Sequence, residues 1–457
     1  MTICRAPWLA ICGAALGLGM GITSINGAAA PLTLLGAYQA ALQNDPTYRG
    51  AIYENQAGQE NKNIGRSYLL PKVALTYATN VNQTEIVTTQ LYQGQNYSTA
   101  TNPSYVGMNA ALTLRQPIIN FEALSLYKQS LAKANYSTAQ FAARGQDLVL
   151  RVVGAYADAQ YTEDQLKLAV AQRDAYQEQQ VVNDRLLKSG EGTVTDQLET
   201  QARSSLAEAQ VIEAQDNLAT ARNTLGGIVG LPVTELAPLN KNFKLLPIQP
   251  TTFDEWQNMA MRENAEIVAL NASVEVARQE INRQRSGHAP AMDFVASYGR
   301  QKSASTNTYN QDTKVGTIGI ELTIPLFSGG YVSASTRQAV ANYEKVRSDL
   351  DVKISQLSIE LHKQYGLILS SSPRINALIK STESARLLIT ATRESIKGGT
   401  RINLDLLNAE QQLYTSERDL ALARYNYLLA YLRLRNAAGT LATQDLMDVS
   451  ASFMPAG

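Results

Sequence analysis

The chain has 457 residues, enough for two or three ordinary domains. Forty basic side chains balance forty acidic ones, which gives no footprint for a nucleic-acid partner. Both cysteines, Cys4 and Cys12, lie near the N-terminus, so the rest of the chain has no disulfide framework.

Residues 1–29 read as an export signal. Arg5 supplies a thin basic region, an apolar Gly/Ala-rich run covers residues 8–22, and Ala28-Ala29-Ala30 offers small residues for cleavage. Pro31 disfavours a cut after Ala30, so cleavage after Ala28 or Ala29 is expected. Ile11 is too large for a lipobox ahead of Cys12. Beyond this segment no run of about 18 apolar residues occurs. A membrane-spanning part would therefore have to be built from strands.

Residues 34–69 read as a helix stopped by Pro71. From Lys72 the period becomes two: Val73, Leu75, Tyr77, Thr79 and Val81 alternate with Ala74, Thr76, Ala78, Asn80 and Asn82. Residues 84–102 read as a polar loop, and alternation resumes over residues 106–115 until Pro117. Two strands of about ten residues make a hairpin. Residues 122–188 then carry a helical pattern with hardly a break. Leu148, Val152, Ala155, Ala159, Thr162, Leu166 and Ala169 step by four and three, a coiled-coil seam. Such a helix is roughly 100 Å long. Glycines interrupt it at Ser189-Gly190-Glu191-Gly192, and residues 194–229 return along it until Gly230-Leu231-Pro232.

The second half repeats this order. Residues 253–286 are helical, Pro290 stops them, alternation covers residues 292–299 and 316–324 around a polar loop at 300–313, and Pro325 ends the strand. Residues 332–397 form a second long helix, a tip follows at Gly398-Gly399-Thr400, and residues 403–438 return. Three pairs keep one offset: 399 − 190, 405 − 196 and 439 − 230 each equal 209. Pro117 to Pro325 is 208. An internal duplication accounts for this. The expected division is a repeat over 30–230 (hairpin 72–117, tip near 189–196), a connector over 231–252, and a repeat over 253–457. The second repeat holds a hairpin at 291–325, a tip near 398–405 and a short C-terminal tail.

No catalytic, cofactor or metal constellation is visible. His288 and His362 are isolated, and Gly226-Gly227-Ile228-Val229-Gly230 ends a helix instead of opening one after a strand. Four strands per chain cannot close a barrel alone, and open edges are excluded from lipid, so copies must share one.

Several stretches resemble the TolC family of outer-membrane efflux and secretion channels, over the whole mature length. They are Asn44-Asp45-Pro46, Tyr68-Leu69-Leu70-Pro71, Ile324-Pro325-Leu326-Phe327-Ser328-Gly329-Gly330, Gly399-Thr400-Arg401 with Asp405, and Ala423-Arg424-Tyr425-Asn426-Tyr427-Leu428. The resemblance implies a mainly α chain with four transmembrane strands, closing a twelve-stranded barrel as a homotrimer continuous with a periplasmic helical tunnel. It implies an outer-membrane exit duct and no enzyme, working with a periplasmic adaptor and an inner-membrane ABC or other transporter. Type I protein secretion is the favoured branch. Multidrug efflux is the alternative, with a periplasmic adaptor or an envelope coiled coil behind it.

Ordinary capping would explain the charges at the tips. The resemblance adds a periplasmic aperture: Arg401 and Asp196 match a latching pair with Thr195 beside it, and Asp405 matches a ring carboxylate. Asn408 stands where a second ring aspartate is common, and Ile396 where a latching tyrosine occurs. Ser189, Gly190, Glu191, Gly398, Gly399 and Thr400 are the expected adaptor contacts.

Overall fold

In the computed structural model, residues 31–240, 244–305 and 308–453 are described; the export-signal reading lies outside them. The element order is α1 (Leu34–Asn44), α2 (Pro46–Gln59), α3 (Asn61–Ser67), β1 (Lys72–Gln83), β2 (Ile86–Tyr92), β3 (Gln95–Thr101), β4 (Ser104–Ile119), α4 (Phe121–Ser189) and α5 (Val194–Val229). Then come α6 (Phe253–Glu263), α7 (Ala265–Arg285), β5 (Ala291–Ser305), β6 (Thr308–Thr323), α8 (Tyr331–Lys397), α9 (Asn403–Ala437) and α10 (Thr443–Ser450).

The single helix expected over residues 34–69 is three helices. Asp45 ends α1 and caps α2, accepting the Tyr48 N–H at 2.7 Å with Pro46 at the first helical position. Arg151 on α4 holds the other carboxylate oxygen at 2.8 Å. Burial alone would raise the Asp45 carboxyl, but Arg151 and the capped N–H groups hold it below its ordinary value. Asn264 breaks residues 253–286 in the same way, accepting from Glu266 and Ile267 and donating to the Ala437 carbonyl. Asn44 likewise donates to the Val229 carbonyl. Each break thus grips the end of a returning helix. Both returning helices finish at a glycine in the left-handed region, Gly230 (φ 75°) and Gly439 (φ 77°). A Cβ on Gly230 would sit 2.5 Å from Asn44, and one on Gly439 would sit 2.3 Å from the Glu263 backbone. Close approach and backbone conformation together explain the spacing of 209.

The strands are longer than the sequence pattern predicts. β5 and β6 take up most of the expected loop at 300–313, and the expected loop at 84–102 is the β2–β3 hairpin, turning at Gln93-Gly94. Polar side chains are no obstacle where strands pair beyond the apolar zone. Pro117 lies inside β4, because pairing with β1 ends at Arg115 and the missing N–H falls on a local edge. The main sheet has the antiparallel order β1-β4-β5-β6, leaving β1 and β6 as open edges.

One face of this sheet is apolar: Val73, Leu75 and Tyr77 on β1, Leu112 and Leu114 on β4, Phe294, Ala296 and Tyr298 on β5, Ile318, Ile320 and Leu322 on β6. The other carries Asn80, Asn109, Thr113, Ser297 and Thr317. Near its helical end Arg115 bridges Asp293 (2.7 Å) and Glu321 (3.2 Å). A lipid face and an aqueous face fit this division.

The long helices lie side by side in the order α5, α4, α9, α8. Their densest packing is a collar at mid-height. There α1, α6, α10 and the connector close around Leu148, Val152, Tyr156, Leu225, Leu361, Leu428 and Leu432. Tyr156 donates to the carbonyls of Leu32 and Ala237, and the Trp256 indole to that of Pro250. Among the described residues, no helix is long and apolar enough to cross a membrane.

Candidate functional site at the helix tips

The two tips look alike in sequence but differ in capping. At the first, α4 ends at Gly190 (φ 79°), and the Glu191 and Gly192 N–H groups donate to the Leu186 carbonyl. Thr193 caps α5 by accepting the Asp196 N–H at 3.1 Å, and its hydroxyl donates to the Asp196 carboxylate at 2.6 Å. Asp196 is therefore engaged within its own helix turn. At the second tip Ile402 occupies the cap position and offers no side-chain bond. Thr400 folds back on the Ser395 carbonyl through both its N–H and its hydroxyl, each at 3.0 Å. Among the described residues, the Asp405 carboxylate reaches only Arg401, across 3.9 Å on a half-exposed surface.

Within one chain, then, Arg401 meets Asp405 and not Asp196. Thr195 is exposed beside Asp196. Asn408, also exposed, accepts a hydrogen bond from Arg203 of α5 at 3.2 Å. Ser189, Gly190, Glu191, Gly398, Gly399 and Thr400 are all exposed at the ends of the hairpins.

Just behind the tips lies a polar cluster that the sequence reading missed. Thr200, fully buried, accepts from Asn183 at 2.7 Å and from Asn403 at 3.0 Å. Gln179 donates to Asn403 at 2.8 Å, and Asn183 also reaches the Asp196 carbonyl at 3.4 Å. This cluster joins α4, α5 and α9. One layer further up, Gln172 donates to Gln411 at 2.8 Å and to the buried Tyr176 hydroxyl at 3.2 Å. Arg393 of α8 donates to Glu410 at 3.1 Å, and the second oxygen of this buried carboxylate has no partner among the described residues. Burial pushes the Glu410 carboxyl up, with Arg393 opposing.

The signal for this cluster was present. The seam through Leu166 and Ala169 continues by threes and fours to Gln172, Tyr176, Gln179 and Asn183. Following it past its last apolar member reaches the site. Among the described residues, no group of three His, Cys, Asp or Glu side chains is placed to hold a metal ion. His362 packs on Phe253, its ring centroid 3.7 Å away.

The sequence profile of the outer membrane efflux protein family matches residues 37–231 and again 256–440. The alkaline protease secretion protein AprF of Pseudomonas aeruginosa is 41% identical, with 93% of this chain and 88% of that protein covered. The proteases secretion protein PrtF of Dickeya chrysanthemi is 39% identical over 94% of this chain and 93% of its own length. The outer membrane channel CmeC of Campylobacter jejuni superposes with a TM-score of 0.75 at 15% identity, covering 92% of this chain and 90% of that one. The fold is thus shared with a known outer membrane channel. The chain belongs to the outer membrane efflux protein family, the TolC-type channels of the outer membrane that extend into the periplasm.

Proposed function

We propose that three copies of this chain form the outer-membrane exit duct of a type I protein secretion system, with secreted proteases as its cargo. One observation carries the reading: the protomer is open-sided in both of its layers. The sheet leaves β1 and β6 unpaired. The helical layer leaves α5 and α8 as flanks, with Leu206 and Ile212 exposed on one and Ile359, Leu369 and Leu387 on the other. Joining β6 to the next β1, and α8 to the next α5, satisfies both layers at once. Two copies would give eight strands, whose interior side chains fill; three give twelve and a lumen.

In this reading Asp196, Thr195, Arg401, Asp405 and Asn408 line the periplasmic aperture, and Arg401 meets Asp196 of a neighbouring copy. The exposed tips present Ser189, Gly190, Glu191, Gly398, Gly399 and Thr400 to a periplasmic adaptor, behind which an ABC transporter supplies energy. The β2–β3 hairpin lies outside the cell, at the sheet end opposite the helices. Protease cargo is favoured because the relatives near 40% identity are named for protease secretion, whereas the Vibrio cholerae outer membrane protein TolC is 27% identical.

Deleting the gene tests this. Protease activity should vanish from the medium and return with the intact chain, while susceptibility to small toxic compounds stays unchanged. The reverse pattern would place the duct in drug efflux. A stable monomer by native mass measurement in detergent would refute the shared barrel.

A further inference from the structure

We propose that the outer ends of β5 and β6 form a binding site for a phosphate-bearing lipid headgroup of the outer leaflet, with Lys302 and Lys314 as its ligands. The cross-strand rows of the lipid face, read away from the helices, are Met292 with Leu322, Phe294 with Ile320, Ala296 with Ile318, and Tyr298 with Gly316. The next two rows are Arg300 with Lys314 and Lys302 with Asp312. The side-chain chemistry on one continuous face thus switches from apolar to cationic within a single row. An aromatic ring, Tyr298, lies at the border, as at membrane interfaces generally.

The switch falls at the height of the headgroups. Eight residues separate Leu322 from Lys314, about 27 Å along a strand. With a tilt near 40° this becomes about 20 Å of membrane depth, close to the ~25 Å apolar band of such barrels. Lysine stems extend the reach further by lying along the apolar surface while the ammonium stays in the polar layer.

The charges belong to the lipid side and not to the pore. At the same level the opposite face carries Asn109, Gln301 and Thr313, all neutral. On the lipid face itself, one positive charge is already spent. Arg300 grips Asp312 diagonally, Nε to Oδ1 at 2.9 Å and Nη2 to Oδ2 at 2.5 Å. Lys302 and Lys314 are exposed and have no ion pair among the described residues. Three cations against one carboxylate leave two positive charges. The free lysines are diagonal cross-strand neighbours, about 7–8 Å apart at the backbone, so both ammonium groups reach one phosphate monoester. An ammonium is a good point-charge partner for phosphate, and Asp312 fixes Arg300 beside the pair.

The test uses the full oligomer purified in detergent. The probes are a purified phosphorylated glycolipid of the outer leaflet, the same glycolipid after phosphatase treatment, and inorganic phosphate. The phosphorylated glycolipid should raise the melting temperature saturably, and the dephosphorylated lipid and inorganic phosphate should not. Lys302→Gln with Lys314→Gln should weaken the half-saturating concentration about thirtyfold, with conductance and oligomeric state unchanged. Asp312→Asn, which frees Arg300, should tighten it about fivefold, and Lys302→Arg with Lys314→Arg should retain binding even if the glutamine pair fails to assemble. Equal response to the dephosphorylated lipid, a response to inorganic phosphate alone, or unaltered binding by the glutamine pair would each overturn the site.

Discussion

At mid-height and at the tips the same four long helices are held by opposite chemistry. The collar buries Leu148, Val152, Leu225, Leu428 and Leu432 beneath three short helices and a connector. Roughly six to nine turns away, the seam of α4 meets its neighbours through Gln172, Tyr176, Gln179 and Asn183. Apolar burial is non-directional and large, roughly 25 cal/mol for each Å² removed from water. A hydrogen bond contributes only about 0.5–1.5 kcal/mol net, because water replaces it when the partners separate. The collar is therefore a permanent clamp and the tip a separable contact, both written on one heptad-like seam.

The sharpest break in this comparison is at the collar. Trp256→Ala removes a fully buried ring and its bond to the Pro250 carbonyl, so it should cost about 3–5 kcal/mol. The detergent-solubilised protein should melt well below the parent. Single-channel conductance of the molecules that do assemble should be unchanged, since the tips are untouched. A variant that melts normally would mean that the collar does not limit stability.

A mid-sized effect belongs to Asn403, which bonds Thr200 and Gln179 across three helices. Asn403→Ala strands buried partners at a cost of about 1–3 kcal/mol, but the loss is local to the tip. Melting should hardly move, and planar-bilayer conductance should rise. Asn403→Leu sharpens the test by extending the apolar seam to the tip: conductance should then stay low. Equal behaviour of the two variants would remove the distinction between clamp and contact.

Much of this was legible in the sequence, for physical reasons. The long helices read clearly because the period of three and four persists from Leu148 to Ala169 with no proline between, and the one glycine there, Gly154, falls off the seam. The glycine offset of 209 read clearly because a left-handed C-cap excludes almost everything else. The breaks at Asp45 and Asn264 were hidden. Their caps are local, but the reason to break there is a distant helix end, at Val229 and Ala437. Strand lengths were undercounted because β5 and β6 run on beyond the apolar zone, where alternation of hydrophobicity stops and backbone pairing does not. At the tips the charged residues drew attention, whereas the buried amides did not, because an amide in a helix carries no signal until its seam is traced.

The smallest expected effects lie with the tip charges, and the structure changes their order. Asp196 and Asp405 are equivalent by sequence offset, yet Asp196 is bound by the Thr193 hydroxyl while Asp405 has only a loose contact to Arg401. In the proposed trimer Asp405 is thus the carboxylate free to meet a cation in the pore, and crowding three of them on one axis would concentrate that attraction. Asp405→Ala should weaken block of conductance by divalent or polyamine cations more than any other single change at the tips. Asn408→Asp adds a second carboxylate, but Arg203 already contacts that position and would neutralise part of it. Its strengthening of the block should be partial, and Arg203→Ser in the same chain should make it full. Arg401→Ser comes last. Its contact to Asp405 is exposed and long, and an exposed pair with Asp196 of a neighbouring copy is likewise worth about 0.2–1 kcal/mol, so conductance should rise no more than about fivefold. Titration of the block with magnesium in planar bilayers ranks all of these variants on one scale. Parent-like block in Asp405→Ala would mean that this carboxylate does not face the pore, and Asp196, freed from Thr193 by Thr193→Val, would be the next to try.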